Sequence, residues 1–136
     1  MRVLIADDHA IVRKGLREIL REASETTTVG EASNGSEALD KIHNEAWDVV
    51  VLDITMPGQN GLEVLKELKR RQPNLPVLML SMHSGYHYVK GSLKAGASGY
   101  LNKETAPEEL VTAIRTAIDG GIYVSRSLAE GLDLDL

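Results

Sequence analysis

The chain has 136 residues, the size of one ordinary domain, and its 43% apolar and 26% charged residues are those of a globular protein with a real core. Fifteen Lys and Arg against twenty Asp and Glu give a net charge of −5, so there is no cationic field to hold a polyanion, and direct nucleic-acid binding by this segment is not expected. The absence of cysteine removes disulfides, thiolate zinc sites and thiol nucleophiles together, which fits a reducing, cytoplasmic setting.

The first apolar run, Val3 to Ala6, is broken by Asp7 and Asp8. It therefore stops short of the roughly 7–15 apolar residues of a secretory signal. No later run approaches the ~18 residues of a membrane span, so no membrane partner is expected. Ile11, Val12, Leu16, Ile19 and Leu20 then form a stripe at helical spacing, with charged residues opposite. A second β-rich run, Thr27 to Gly30, precedes a helix marked by Ala38, Leu39 and Ile42. The third run, Val49 to Leu52, follows Trp47, which reads as a partly buried anchor. Leu62, Val64, Leu65 and Leu68 predict a third helix that ends where Gln72 precedes Pro73.

The fourth run, Val77 to Leu80, leads into a weak helical segment from Gly85 to Ala97, whose apolar residues are mainly Val89, Leu93 and Ala97. Gly91 costs such a helix about 1 kcal/mol relative to alanine, so it is expected to be short and comparatively mobile. The fifth run, Gly99 to Leu101, precedes the clearest helix, carried by Leu110, Ala113, Ile114, Ala117 and Ile118. That helix opens near Pro107, with Glu108 and Glu109 at its positive end. Beyond Gly120 and Gly121, Ile122 to Ser127 reads as extended or turn-like, and Leu128 to Leu136 as a helical start or frayed tail. The expected organisation is a domain over residues 1–121, with 122–136 a linker or C-terminal tail.

Nearly all-apolar strands alternating with helices imply an α/β fold: a doubly wound, five-stranded parallel sheet with helices on both faces. Ligands of such sheets bind outside the carboxyl ends of the strands. Those ends carry Asp7 and Asp8, Asp53, Ser81 and, just past the fifth strand, Lys103. Taken singly, each has a plain structural reading: Asp8 as a helix cap, Asp53 as a turn former before Met56, Pro57 and Gly58, Lys103 as a solvated cation. Their joint placement on one sheet edge is what unrelated structural causes do not produce. Three carboxylates in one place repel one another unless a cation joins them, and Mg²⁺, which accepts one or two carboxylates and shares its other positions with a phosphoryl group, is the natural choice. An ion, an anionic nucleophile and a lysine make an inventory for phosphoryl transfer.

These motifs are Asp7-Asp8, Asp53 in Val-Val-Leu-Asp-Ile-Thr-Met-Pro-Gly, Ser81 closing Val-Leu-Met-Leu-Ser, and Lys103 in Gly-Tyr-Leu-Asn-Lys. In them the chain resembles the receiver domain of bacterial two-component response regulators, from Val3 to about Ile118. Asp8-His9, Ser81-Met82-His83 and Gly-Ala-Ser-Gly-Tyr-Leu resemble most the NarL/FixJ subfamily, whose receivers precede a LuxR-type helix-turn-helix. The resemblance implies a flavodoxin-like (βα)5 fold with strand order 2-1-3-4-5, and Asp53 as phosphoacceptor from a sensor histidine kinase.

It further implies Mg²⁺ ligation by Asp8, Asp53 and the main-chain carbonyl of Thr55, with Asp7 acting mainly through water. Lys103, Ser81 and Met82 would meet the phosphoryl group. Ser81 and Tyr100 would form the switch pair, and Thr55 and His83 would tune phosphate lifetime. It implies DNA binding only through an output domain outside this chain, and allows a homodimer on phosphorylation. The sequence departs from the usual pattern at Ser81, where threonine is common, at Met82, which is larger than usual, and at Glu104, which stands where many receivers have a cis proline.

Other readings meet specific obstacles. A Mg²⁺-dependent phosphohydrolase needs an acid two residues after its nucleophile, where this chain has Thr55. A flavin-mononucleotide carrier needs a hydroxyl-rich phosphate loop, where Asp7, Asp8 and His9 would repel the ligand. A docking module without chemistry would not need the full polar set. His9 and His83 beside an oxygen-rich pocket read as rim residues rather than as ligands of a softer metal.

Overall fold

The computed structural model describes residues 1–58, 60–82 and 86–129. In chain order the elements are β1 (Arg2–Ala6), α1 (Ala10–Ala23), β2 (Thr28–Ala32), α2 (Gly35–Asn44), β3 (Val49–Asp53) and α3 (Gly61–Arg71). They continue with β4 (Val77–Ser81), α4 (Tyr86–Lys94), β5 (Gly99–Asn102), α5 (Ala106–Ile118), β6 (Tyr123–Val124) and α6 (Arg126–Ala129). All strand pairs are parallel, in the order β2-β1-β3-β4-β5-β6. The expected five-strand core is present in the expected order, and β6 extends it at the β5 edge.

The period-two alternation of each strand divides the core between two faces. Leu4, Ala6, Val50, Leu52, Val77, Met79 and Tyr100 pack against buried residues of α2, α3 and α4. Val3, Ile5, Val49, Val51, Leu78, Leu80 and Leu101 pack against Leu16 and Leu20 of α1 and Leu110, Ala113, Ile114 and Ala117 of α5. Strands covered on both sides must be apolar throughout, which is why the inner strands β3 and β4 are buried at every position. Two helices begin with the same device: Asn34 accepts from Glu37 N at 2.8 Å to start α2, and Asn60 from Glu63 N at 2.9 Å to start α3.

β2 lies one residue later at its start and two later at its end than the apolar run predicts. It is an edge strand, bonded on one side only, so it tolerates Glu31, whose carboxylate meets Arg13 Nε at 3.1 Å and Arg17 Nη1 at 2.6 Å. Trp47 is half-buried as expected, donating Nε1–H to the Lys41 carbonyl at 3.0 Å at the amino end of β3. α4 is nine residues long, and Val89 is fully buried while Tyr88 and Leu93 are only partly so. The extended stretch after Gly121 takes the form of β6, and Leu128 of α6 is buried in the same cluster as Tyr100.

Candidate functional site

The sheet register brings the polar residues together. Asp53 pairs with Leu80, Ser81 with Asn102, and the Lys103 amide donates to the Ser81 carbonyl at 2.9 Å. Asp53, Ser81 and Lys103 are thus neighbours at the carboxyl ends of β3, β4 and β5. The Asp7 amide, which follows β1, donates to the Ala32 carbonyl at 3.0 Å. The backbone after Asp53 folds tightly onto α3. A Cβ on Gly61 would lie 2.2 Å from the Asp53 carbonyl oxygen, so only glycine permits the Gly61 amide to reach the Ile54 carbonyl at 2.8 Å.

Within this pocket Lys103 Nζ stands 2.9 Å from Asp53 Oδ2 and 3.0 Å from Asp7 Oδ2. The other Asp53 oxygen accepts the Thr55 amide at 3.0 Å. Asp7 Oδ1 accepts the His9 amide at 2.8 Å. Asp8, on the rim, lies 3.2 Å from His9 Nδ1, which is also 3.1 Å from Asp7. Ligand atoms of Asp7, Asp8, His9 and Asp53 all fall within 4.8 Å of one another. The imidazole is mostly exposed, in keeping with a rim position, yet its nitrogen belongs to the acidic group. Sequence reasoning did not place it there, although its adjacency to Asp8 was the available signal.

Burial pushes the Asp53 carboxyl up to about 6, against the opposing pull of the Lys103 hydrogen bond and the Thr55 amide, with Asp7 adding to the rise. Burial alone would pull Lys103 down, but its bond to Asp53 and contact with Asp7 outweigh that and raise it. Ser81 is buried at the end of β4 and hydrogen-bonded to the Tyr100 hydroxyl, while Tyr100 itself is fully buried. Burial raises the Tyr100 hydroxyl pKa. Met82 is 59% exposed beside Ser81. His83 lies outside the described residues, and Thr55, whose amide bonds Asp53, is exposed.

The residues present fit a hard dication. Three carboxylates lie together, two of them against the one ammonium of Lys103, and Asp7 Oδ2 is a buried oxygen without a hydrogen bond: Lys103 meets it through charge, outside hydrogen-bonding geometry. Oxygen donors in excess negative charge are what Mg²⁺ accepts. Glu104 follows Lys103 through a trans bond, and no cis peptide occurs among the described residues.

A sheet of this topology, with an acid pocket at its carboxyl edge closed by a lysine from β5, defines a class, and comparison with known proteins identifies it. Residues 3–115 match the response regulator receiver domain, and the chain belongs to that family. Response regulator UvrY of Escherichia coli K12 is 38% identical over 134 residues, covering 98% of this chain and 62% of UvrY. Nitrate/nitrite response regulator protein NarL of the same strain is 35% identical over the same shares.

This chain therefore spans less than two thirds of those relatives. A LuxR-family two-component response regulator from Aurantimonas sp. SI85-9A1 superposes with a TM-score of 0.89 at 33% identity, over 95% of this chain and 92% of that one. The isolated receiver domain of RcsB from Salmonella enterica serovar Typhimurium, solved with the phosphomimetic BeF3−, gives 0.88 at 28% identity over 98% and 99%. Within the family, the chain is a receiver of the NarL/FixJ, LuxR-type subfamily.

Proposed function

We propose that this domain is a phosphorylation-dependent switch of a two-component system, in which Asp53 accepts a phosphoryl group from a sensor histidine kinase. The observation that carries the reading is the setting of Asp53: a buried carboxylate, bonded at 2.9 Å to Lys103 and at 3.0 Å to the Thr55 amide, among Asp7 and Asp8. An Asp53 oxygen attacks phosphorus, the bond from phosphorus to the donor histidine nitrogen breaks, and the leaving imidazole keeps that electron pair and takes up a proton. Asp8, Asp53 and the Thr55 carbonyl would hold Mg²⁺, with Asp7 acting through water, and the ion supplies neutralisation of the phosphoryl oxygens. Lys103 neutralises the acyl phosphate, while the Ser81 hydroxyl and the backbone at Met82 bind its oxygens.

Phosphorylation adds a second strong acceptor group beside Lys103 and Ser81, creating charge-assisted bonds absent before. Ser81 and Tyr100 then transmit the change, since the two side chains are already bonded to each other. Thr55 and His83 set the lifetime of the acyl phosphate, whose hydrolysis the domain itself assists. The setting is cytoplasmic, and among the described residues no helix is long and apolar enough to cross a membrane. Residues 122–136 lead toward a LuxR-type output domain outside this chain, through which DNA would be bound, and phosphorylation favours a homodimer.

Incubation with acetyl phosphate and Mg²⁺ is expected to add one phosphoryl group by intact mass. Asp53→Asn is expected to gain none, and equal labelling of the variant overturns the assignment.

A further inference from the structure

The turn that carries Lys103 is tied, through Glu109 of α5, to Tyr123 and Ser125, which lie beyond the matched receiver segment. Asn102 ends β5, and its amide donates to the Ser125 hydroxyl at 2.9 Å. Ser125 is buried and in turn donates to Glu109 Oε1 at 2.9 Å. The same carboxylate oxygen accepts Thr105 Oγ1, and its other oxygen accepts the Tyr123 hydroxyl at 2.7 Å. Thr105 closes the turn, because its amide returns to the Asn102 carbonyl at 3.1 Å while the Glu104 amide meets the Asn102 side chain at 2.9 Å. Both ends of the loop from Asn102 to Thr105 therefore rest on one carboxylate of α5, and Lys103 sits between them.

The backbone completes the connection. The Tyr123 amide donates to the Ser98 carbonyl at 3.0 Å and the Ser125 amide to the Tyr100 carbonyl at 2.9 Å. Gly99 makes this approach possible, since a Cβ there would lie 2.2 Å from the Tyr123 carbonyl oxygen. Leu128 is buried in the cluster that contains Tyr100. A polar network satisfied at every member is rigid, and loosening one member loosens the rest.

We propose that Ser125 and Glu109 are positioning residues for Lys103, so that docking of the segment from Tyr123 to Leu128 and binding of a phosphoryl group at Asp53 are thermodynamically coupled. This deepens the phosphoacceptor reading and rests on it. Coupling of this kind is reciprocal: whatever factor docking adds to phosphoryl affinity, phosphoryl binding adds to docking. The segment that leaves the receiver thereby senses the pocket directly through β5.

The test uses the whole 136-residue chain with Mg²⁺ and BeF3− as the probe. Ser125→Ala is expected to weaken BeF3− binding about five- to tenfold, at the lower end of the usual range of coupling. Mg²⁺ binding without BeF3− is expected to change less than about twofold in the same variant. Ser125→Thr, which restores a hydroxyl, is expected to recover most of the loss. In the wild-type chain BeF3− should slow hydrogen exchange at the Tyr123 and Ser125 amides by at least the factor that the variant loses, since the variant keeps their backbone bonds. BeF3− affinity unchanged in Ser125→Ala, an equal loss for Mg²⁺ alone, or exchange at these amides indifferent to BeF3− overturns the coupling. A wild-type chain that binds no BeF3− at all instead overturns the phosphoacceptor reading, and the coupling falls with it.

Discussion

Lys103 reaches from the end of β5 to Asp53 at the end of β3, placing its ammonium 2.9 Å from the carboxylate of the residue proposed to take the phosphoryl group. The same nitrogen is 3.0 Å from Asp7, so one cation serves two buried acids that come from different strands. Three elements distant in sequence are thereby joined by a single charge.

Removing that charge exposes the repulsion it offsets. Lys103→Met is expected to lower unfolding free energy by about 3 kcal/mol near neutral pH, the usual cost of stripping one partner from a buried ion pair. The loss should shrink near pH 5, where Asp53 takes a proton, and should be partly recovered by millimolar Mg²⁺. Urea unfolding at the two pH values checks this, and a loss independent of both pH and Mg²⁺ would speak against charge as the cause.

The Asp53 carboxyl, at about 6 in the fold against an ordinary 3.8, gives a definite sign to pH effects. Between those values the folded chain holds a proton that the unfolded chain has released, so this group's contribution to stability falls as pH rises through the window. Asp53→Asn should flatten that slope. Mg²⁺ must displace the same proton, so its affinity should rise with pH up to about 6 and then level off. Calorimetric titration at several pH values measures it; affinity constant from pH 5 to 7 would contradict the assigned shift.

Asp8 and Thr55 separate side-chain from main-chain ligation. Asp8→Asn is expected to weaken Mg²⁺ binding at least tenfold, because it removes a formal charge from the acidic group. Thr55→Ala should leave it within about twofold, as only the backbone carbonyl is used. Calorimetry is the suitable readout. Trp47 precedes β3 while Asp53 ends it, a span of roughly 20 Å of extended chain, so indole emission is poorly placed to sense the ion.

Gly91 tests the fourth helix. A Cβ at this position would meet only Leu62 Cδ2, at 3.9 Å, which is ordinary contact. Gly91→Ala should therefore raise stability by about 1 kcal/mol through helix propensity. Thermal denaturation shows the gain. Because α4 adjoins the Tyr100 face, the stiffened helix should also reduce any exchange change that BeF3− produces across it.

Much of this protein was legible in its residues alone. The apolar runs at Val49 to Leu52 and Val77 to Leu80 pointed to strands covered on both faces, and the i, i+3, i+4 stripe at Leu110, Ala113, Ile114 and Ala117 to a helix lying on that sheet. Given that alternation, the topological rule for parallel sheets puts Asp7, Asp8, Asp53, Ser81 and Lys103 on one edge from the sequence alone. Local chemistry carried that information, because period and burial are properties of neighbouring residues.

Other features depended on contacts that no local pattern encodes. The course of β2 through Glu31 was decided by two arginines on α1, and the nitrogen of His9 was brought among the carboxylates by the turn that follows β1. The pairing of Tyr123 and Val124 with β5 required the open space at Gly99 and the reach of Glu109 from the first turns of α5. A two-residue strand has too few residues to show a period, and a hydrogen bond between Asn102 and Ser125 joins positions far apart in sequence. Composition and spacing set which side chains were available for the pocket. Only the packed sheet buried Asp53 and set the distances at which these charges meet, and that burial, opposed by the bonds to Lys103 and the Thr55 amide, raises its proton affinity.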